Sequence, residues 1–451
     1  MTKITGHGGA PQILTIDAFS SDGSGIARTE EHGVIFVKGA LPGETVEAEM
    51  YSRRRDFSLA RTLQVLSPTP GRVEPSCPVY GSCGACQLQH ASYELQLELK
   101  AGVVRDALIR IGGFEVGPLT CTASPDIWGY RNKASFPIQA VRGRPTAGFY
   151  QANTHRLIPL DTCPVNARPL NDIYQAVQTR LADLPLYAYD ERKHKGELRH
   201  LVIRAGLRTE ENLLSFVING RLSAKQVKAL AAVSRFLPRS TTLTLNHNSK
   251  PGNVILGART EALVGDGLLS EHLDDWTLTF DTTSFFQVNT KQAEQLYRHV
   301  RESVRGADEI LELYSGVGSL TCYLAMEGRV TAIEEWRSAV KMAERNMAAN
   351  GLEATLLCGR AEDLVEGLKE KYDCVVLDPP RGGCDRSVID AIASLKIPRV
   401  VYVSCNPATL ARDARILAEH GYRLNSVQAF DMFPQTVHVE TAVLMSIKSK
   451  T

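Results

Sequence analysis

Three short segments near the C-terminal end hold the residues with the strongest chemistry. Ser404-Cys405-Asn406-Pro407 follows the apolar run Val400, Val401, Tyr402, Val403. Asp378-Pro379-Pro380-Arg381 lies upstream, and Glu440 sits in His438-Val439-Glu440-Thr441. A cysteine that ends a strand of an open α/β sheet lies at the edge where ligands bind. A thiolate at that edge is a nucleophile. Two prolines fix the backbone after Asp378 and direct its oxygens into a cleft. Such a carboxylate can meet the edge of an extruded base.

One reaction uses this set. Carbon 5 of a pyrimidine is a poor nucleophile until a thiolate adds to carbon 6 and makes an enolate. The enolate can then take a methyl group from a sulfonium. A base must next remove the proton on carbon 5 so that the cysteine leaves. The chemistry needs a cysteine of low pKa, a group on the pyrimidine edge and a carboxylate base. Cys405, Asp378 and Glu440 are the candidates, with Glu440 placed just before an expected final strand, Ala442–Ile447. An amine-directed methyltransferase would carry an aromatic residue where Arg381 stands.

A nucleoside cofactor site is expected at Glu309–Ser319, which reads as strand, glycine turn and helix. Glycine lets a ligand approach backbone at a helix N-terminus. Glu334 ends the next strand, where a carboxylate can accept from a ribose diol. The turn reads Gly316-x-Gly318-x-x-Thr321 and lacks the third glycine of a dinucleotide fingerprint. S-adenosylmethionine therefore fits better than NAD.

Cys77, Cys83 and Cys86 form C-x5-C-x2-C in a loop rich in Gly, Ser and Pro. A close pair plus a remote cysteine reads as metal or cluster ligation. Cys163 shares the Cys-Pro chemistry of Cys77, and Cys121 competes with it as a fourth ligand. The spacing lacks the C-x3-C-x2-C of radical iron–sulfur enzymes, and zinc stays open.

The elements that must position these groups are of an α/β class. Residues 1–72 are expected to form a small closed barrel of the OB type, from short apolar or alternating runs between Gly- and Pro-bearing turns. Arg53, Arg54, Arg55 and Arg61 stand near Tyr51 and Phe57 there, as in stacking platforms for nucleic acid. Residues 73–278 are read as a central α+β domain that begins with the cysteine loop, and 279–451 as a parallel doubly wound sheet. The stretch 93–124 opens with a helical pattern, Tyr93 to Ile111, that could pack on the last domain.

Composition agrees: 43% of residues are hydrophobic and 22% charged, with a net charge of only +1. Residues 131–260 hold 20 Lys and Arg against 8 Asp and Glu, a local +12 that leaves −11 for the rest. That asymmetry points to a polyanion. The polar start, Met1-Thr2-Lys3-Ile4, has no signal core and no apolar run is of spanning length, so a cytoplasmic, non-membrane protein is expected.

Taken together the motifs resemble the RNA uracil-5-methyltransferase family, in its 23S ribosomal RNA type with a TRAM domain and an iron–sulfur cluster. The likeness spans nearly the whole chain. It rests on Cys77, Cys83, Cys86 and Cys163, Tyr130–Lys133, Ser284–Asn289, Tyr314–Gly318, Asp378–Arg381, Ser404–Pro407 and His438–Glu440. The resemblance implies Cys405 as nucleophile and Glu440 as base. It implies Gln287, Tyr314, Glu334 and Asp378 at the S-adenosylmethionine and target-base site, and the four cysteines on a [4Fe-4S] cluster. Phe285 or Phe286 would stack on a flipped base, and Arg131 and Lys133 would meet RNA. Ser319 stands where some relatives carry Asn and is left out of the site. The implied protein is a monomer that makes 5-methyluridine in 23S rRNA. The alternatives are a tRNA uridine target and a non-catalytic RNA-binding assembly factor.

Overall fold

The N-terminal strand is bent so that it borders two different neighbours. In the computed structural model, which describes residues 11–447, Gln12–Thr15 pairs antiparallel with Thr45–Arg53, and Ala18–Phe19 pairs with Ser24–Thr29. At the bend, Ile16 N donates to Glu44 O at 2.9 Å and Asp17 N to Ile26 O at 2.8 Å. The six-stranded order, completed by Gly33–Lys38 and Phe57–Ser67, therefore closes on itself through one strand. Closure removes free edges. Gly25 stands where it closes: an added Cβ would lie 2.7 Å from Ile16 Cγ2 and 2.9 Å from Ala40 O. The alternating residues Ile35, Val37, Val46 and Ala48 fill the interior. The polar start Met1–Ile4 lies outside the described residues.

The middle of the chain builds a second six-stranded sheet. Its strands are Arg259–Val264, Thr241–His247, Asn212–Ile218, Leu198–Ala205, Lys133–Val141 and Arg144–Ala147, in that spatial order. The helices Arg168–Gln178 and Ala224–Ala232 supply Leu170, Ile173, Val177 and Leu230 to its core.

The C-terminal sheet has eight strands. Thr355–Cys358, Arg329–Glu334, Glu309–Leu313, Cys374–Leu377 and Arg399–Ser404 are parallel, in that order. Glu440–Ile447, Tyr422–Phe430 and the short Cys121–Thr122 complete the far edge. Strand Cys374–Leu377 is wholly buried and carries no polar side chain, as a parallel sheet covered on both faces requires.

Two segments outside 279–451 belong to this unit's packing. The hairpin Leu269–Leu273 and Trp276–Phe280 places Leu269, Leu273, Trp276, Leu278 and Phe280 in the same core as Ile310, Leu320 and Val401. The C-terminal core thus begins ahead of the change of periodicity at 279. Helix Tyr93–Arg110 lays Ala101, Val104 and Leu108 against Ala411, Ala429 and Val439. Among the described residues no helix is long and apolar enough to cross a membrane.

Candidate active site

Strand Arg399–Ser404 ends in Cys405, and Asn406 then caps helix Pro407–Glu419, its side chain accepting from Ala408 N at 3.1 Å. Proline at the first helical position has no amide to leave unpaired. Extended strand, cap and proline together turn the chain sharply and leave the thiol at the sheet's C-terminal edge.

The Cys405 thiol lies among Glu440, Arg381 and Asp378. Burial and the Glu440 carboxylate push it up to about 11, against a hydrogen bond and a charge from Arg381 that pull it down. The thiolate that the reaction needs must form against this burial, with Arg381 as the neighbour that favours it. A half-buried thiol beside two carboxylates keeps its proton.

The carboxylates respond to the same burial. Glu440 is 4% exposed, and desolvation with Asp378 nearby lifts it well above the usual carboxylate range. Asp378 is raised to about 7 by desolvation, although it lines the cleft and keeps some contact with solvent. Burial thus favours the protonated form of both carboxyl groups, as at sites that exchange protons.

The glycine turn forms the opposite wall. Tyr314, Ser315, Gly316 and Val317 line one cleft with Phe285, Tyr297, Glu312 and Asp378. Gly316 has φ +58°, and a Cβ there would meet nothing within 4 Å. The open space, not packing, is what this glycine leaves, and a ligand can use it. Tyr314 is left-handed too, at φ +67°, an uncommon conformation for a bulky residue that costs about 1 kcal/mol or more. Its amide donates to Ile333 O at 2.9 Å, which holds the turn in place. Glu334 accepts from Gly316 N at 2.9 Å and from Trp336 N at 2.8 Å, so the carboxylate sits directly beside the turn. Gln287 is buried and hydrogen-bonds the Tyr297 hydroxyl, which faces Asp378, Glu312 and Glu440.

Residues 285 and 286 separate. Phe286 is 3% exposed and stacks on Phe280 with ring centres 4.6 Å apart, whereas Phe285 is 65% exposed at the cleft. Core packing takes one ring and leaves the other free.

Two members of the cleft escaped the sequence reading. Glu312 is 2% exposed, accepts from Thr321 Oγ1 at 2.6 Å and is raised to about 8 by burial. An acid inside the apolar strand Glu309–Leu313 was the available signal. Tyr297 gave none, since its place on helix Thr290–Val304 is that of an ordinary core tyrosine.

Cys77, Cys83, Cys86 and Cys163 converge. Cys86 feels Cys163, Cys83 and Cys77, and burial pushes it up to about 12. All four are free thiols. Cys121 is elsewhere, in the edge strand Cys121–Thr122 beside Asp431 and Lys100. Among the described residues, no three His, Cys, Asp or Glu side chains gather closely enough to hold a metal ion.

The family model described as tRNA (Uracil-5-)-methyltransferase matches residues 272–448, and the TRAM domain model matches residues 9–61. An uncharacterized RNA methyltransferase of Gloeobacter violaceus is 42% identical over 442 residues, covering 96% of this chain and 95% of its own. This chain belongs to the RNA uracil-5-methyltransferase family. A second relative of this methyltransferase, from Halalkalibacterium halodurans and also described as an uncharacterized RNA methyltransferase, is 35% identical, with 97% of each chain covered. A solved structure of Pyrococcus abyssi tRNA (uracil-54, C5)-methyltransferase in complex with S-adenosyl-L-homocysteine is similar at a TM-score of 0.78. It is 29% identical and covers 97% of the methyltransferase and 100% of its own chain.

Proposed function

We propose that the methyltransferase transfers a methyl group from S-adenosylmethionine to carbon 5 of a specific uridine in 23S rRNA, in the cytoplasm and as a monomer. The convergence of Cys405, Arg381, Glu440 and Asp378 at one strand edge carries the reading. S-adenosylmethionine, when bound, supplies a methyl group on a sulfonium. Gln287, Tyr314, Glu334 and Asp378 are the residues assigned to cofactor and base. The left-handed turn at Tyr314 and Gly316 leaves room for the nucleoside, and Glu334 beside it suits a ribose diol.

Cys405 loses its proton to solvent, and its sulfur bonds to carbon 6 of the uracil as the 5,6 double bond opens toward carbon 5. Arg381, hydrogen-bonded to the thiol, favours the anion. The addition places an electron pair at carbon 5, where a bound S-adenosylmethionine would supply the methyl group. Glu440 then takes the proton from carbon 5, the 5,6 double bond reforms, and the sulfur of Cys405 leaves. Its burial keeps Glu440 basic enough for that step.

Cys77, Cys83, Cys86 and Cys163 would hold a [4Fe-4S] cluster. The four are free thiols that lie near one another, as cluster ligands must. Cations there would draw the thiols into the thiolate form that burial otherwise opposes. RNA would be held by the basic middle, by Arg131 and Lys133, and by the barrel. On the barrel, Arg53, Arg54 and Arg55 are exposed near Tyr51 and Phe57. Phe285 is the ring free to stack on an extruded base.

A second reading directs the same chemistry to a tRNA uridine. It is favoured by the Pyrococcus abyssi enzyme, whose substrate is tRNA. Mass-spectrometric mapping of 5-methyluridine in rRNA and tRNA, with and without the gene, decides between them. Loss from 23S rRNA supports the first reading and loss from tRNA alone the second. No loss from either rejects both.

A further inference from the structure

The segment that delivers Glu440 is tied to the cysteine loop by a chain of short contacts. Asp431–Val439 connects strand Tyr422–Phe430 to Glu440, which opens the last strand. At its middle, Gln435 is left-handed (φ +70°) and 3% exposed. The carbonyl of Gln435 accepts from Gln87 N at 3.1 Å and Leu88 N at 3.0 Å, the two residues after Cys86. Its amide N donates to Gln96 Oε1 at 2.9 Å, and its Oε1 accepts from Gln96 Nε2 at 3.0 Å.

A second route runs in parallel. Tyr130 packs with Cys163 and Cys86, and its hydroxyl donates to Pro434 O at 3.0 Å. The same segment's Val437 shares a core with Leu88, Leu41 of the barrel and Leu99. Among the described residues no such hydrogen bonds join the cysteine loop to Cys405, whose strand pairs within the C-terminal sheet and whose following helix packs through Ala411 on helix Tyr93–Arg110.

We propose that the cysteine loop is a positioning device for the general base: through Gln87, Leu88 and Gln435 it sets where Glu440 stands, and it leaves the nucleophile untouched. This rests on the assignment of Cys405 and Glu440 above. The consequence is specific to one step. Addition of Cys405 to carbon 6 and methyl transfer proceed without the loop. Transfer of the carbon 5 proton to Glu440, with release of the Cys405 sulfur, does not. Loosening the loop therefore strands the enzyme as a methylated covalent adduct.

The test uses the full chain with Gln435→Gly, Gln96→Leu and Cys86→Ser. Glycine keeps the left-handed backbone at 435 while removing the paired amide. Each variant meets two RNA substrates, one with 5-fluorouridine at the target and one with uridine, and adducts are resolved on denaturing gels. The expected result is a fluorouridine adduct formed at the wild-type rate. On uridine RNA, a methylated adduct accumulates that decays at least tenfold more slowly than in the wild type. Prompt release from uridine RNA in Gln435→Gly and Gln96→Leu overturns the proposal, as does parallel loss of both reactions in all three. Accumulation in Gln435→Gly without accumulation in Cys86→Ser overturns the role of the cysteines. Absence of any fluorouridine adduct in the wild type instead rejects the nucleophile assignment beneath it.

Discussion

The side-chain amide of Asn406 donates to the carbonyl of Arg381 at 3.1 Å. The residue after the nucleophile thus holds the residue that hydrogen-bonds the nucleophile's thiol. Two peptide segments 25 residues apart in sequence are locked in register at the sulfur. Thr409 Oγ1 reaches the same carbonyl at 3.4 Å, so the first turn of the helix fixes Arg381 twice.

Arg381 is the one cation that lowers the Cys405 thiol against burial and two carboxylates. Arg381→Ala is expected to slow adduct formation by on the order of 10²-fold, the size of one well-placed charge. Its removal raises the thiol pKa, so the rise of the pH–rate profile for adduct formation moves to higher pH. Stopped-time adduct assays across pH 6–10 check both. Arg381→Lys restores the charge but not the planar fork, and only part of the rate returns.

Asp413 is 0% exposed and holds the same loop from below. It accepts from Cys384 N at 2.9 Å and from Tyr402 Oη at 2.7 Å, and pairs with Arg412 Nε at 2.7 Å. Asp413→Ala leaves the buried Tyr402 hydroxyl without its acceptor and the Cys384 amide with only that hydroxyl, at 3.2 Å. A loss of about 2–4 kcal/mol in urea unfolding is expected.

Glu312 has its folded pKa raised from 4.5 to about 8, so the folded state binds the proton more tightly than the unfolded chain. Stability from that proton is complete below about pH 4 and is lost as pH rises through about 8. Glu312→Gln removes the penalty, and its Tm is expected to exceed that of the wild type at pH 8.5 and to match it near pH 5. Thermal scans at the two pH values check the sign.

The adjacent rings at 285 and 286 are expected to fail differently. Phe286→Ala removes a core ring stacked on Phe280 and costs about 3–5 kcal/mol of stability. Phe285→Ala leaves unfolding within about 0.5 kcal/mol of wild type, because the ring is exposed. Its effect falls on KM for RNA, which rises. Denaturant unfolding and steady-state kinetics separate the two.

Much of this was legible in the chain before its structure. The stretch Glu309–Ser319, read as strand, glycine turn and helix, is strand Glu309–Leu313 running through the turn into helix Ser319–Leu324. Hairpin 269–280 was harder. Its alternation looks like the strands before it, and only tertiary packing assigns it to the C-terminal core. The split between Phe285 and Phe286 lies in an irregular segment with no period to read. The upward push on the Cys405 thiol had no sequence signal, because burial and the approach of Glu440, 35 positions along the chain, are properties of the fold.

The central claim is a bond between the Cys405 sulfur and carbon 6 of a uracil. Wild type and Cys405→Ala are each incubated with S-adenosylmethionine and RNA carrying 5-fluorouridine at the mapped target, and the products are analysed by mass spectrometry. The account predicts a methylated RNA–protein adduct on the peptide containing Cys405 in the wild type and none in the variant, which still binds RNA. An adduct on another residue, or full methyl transfer to uridine RNA by Cys405→Ala, would contradict it.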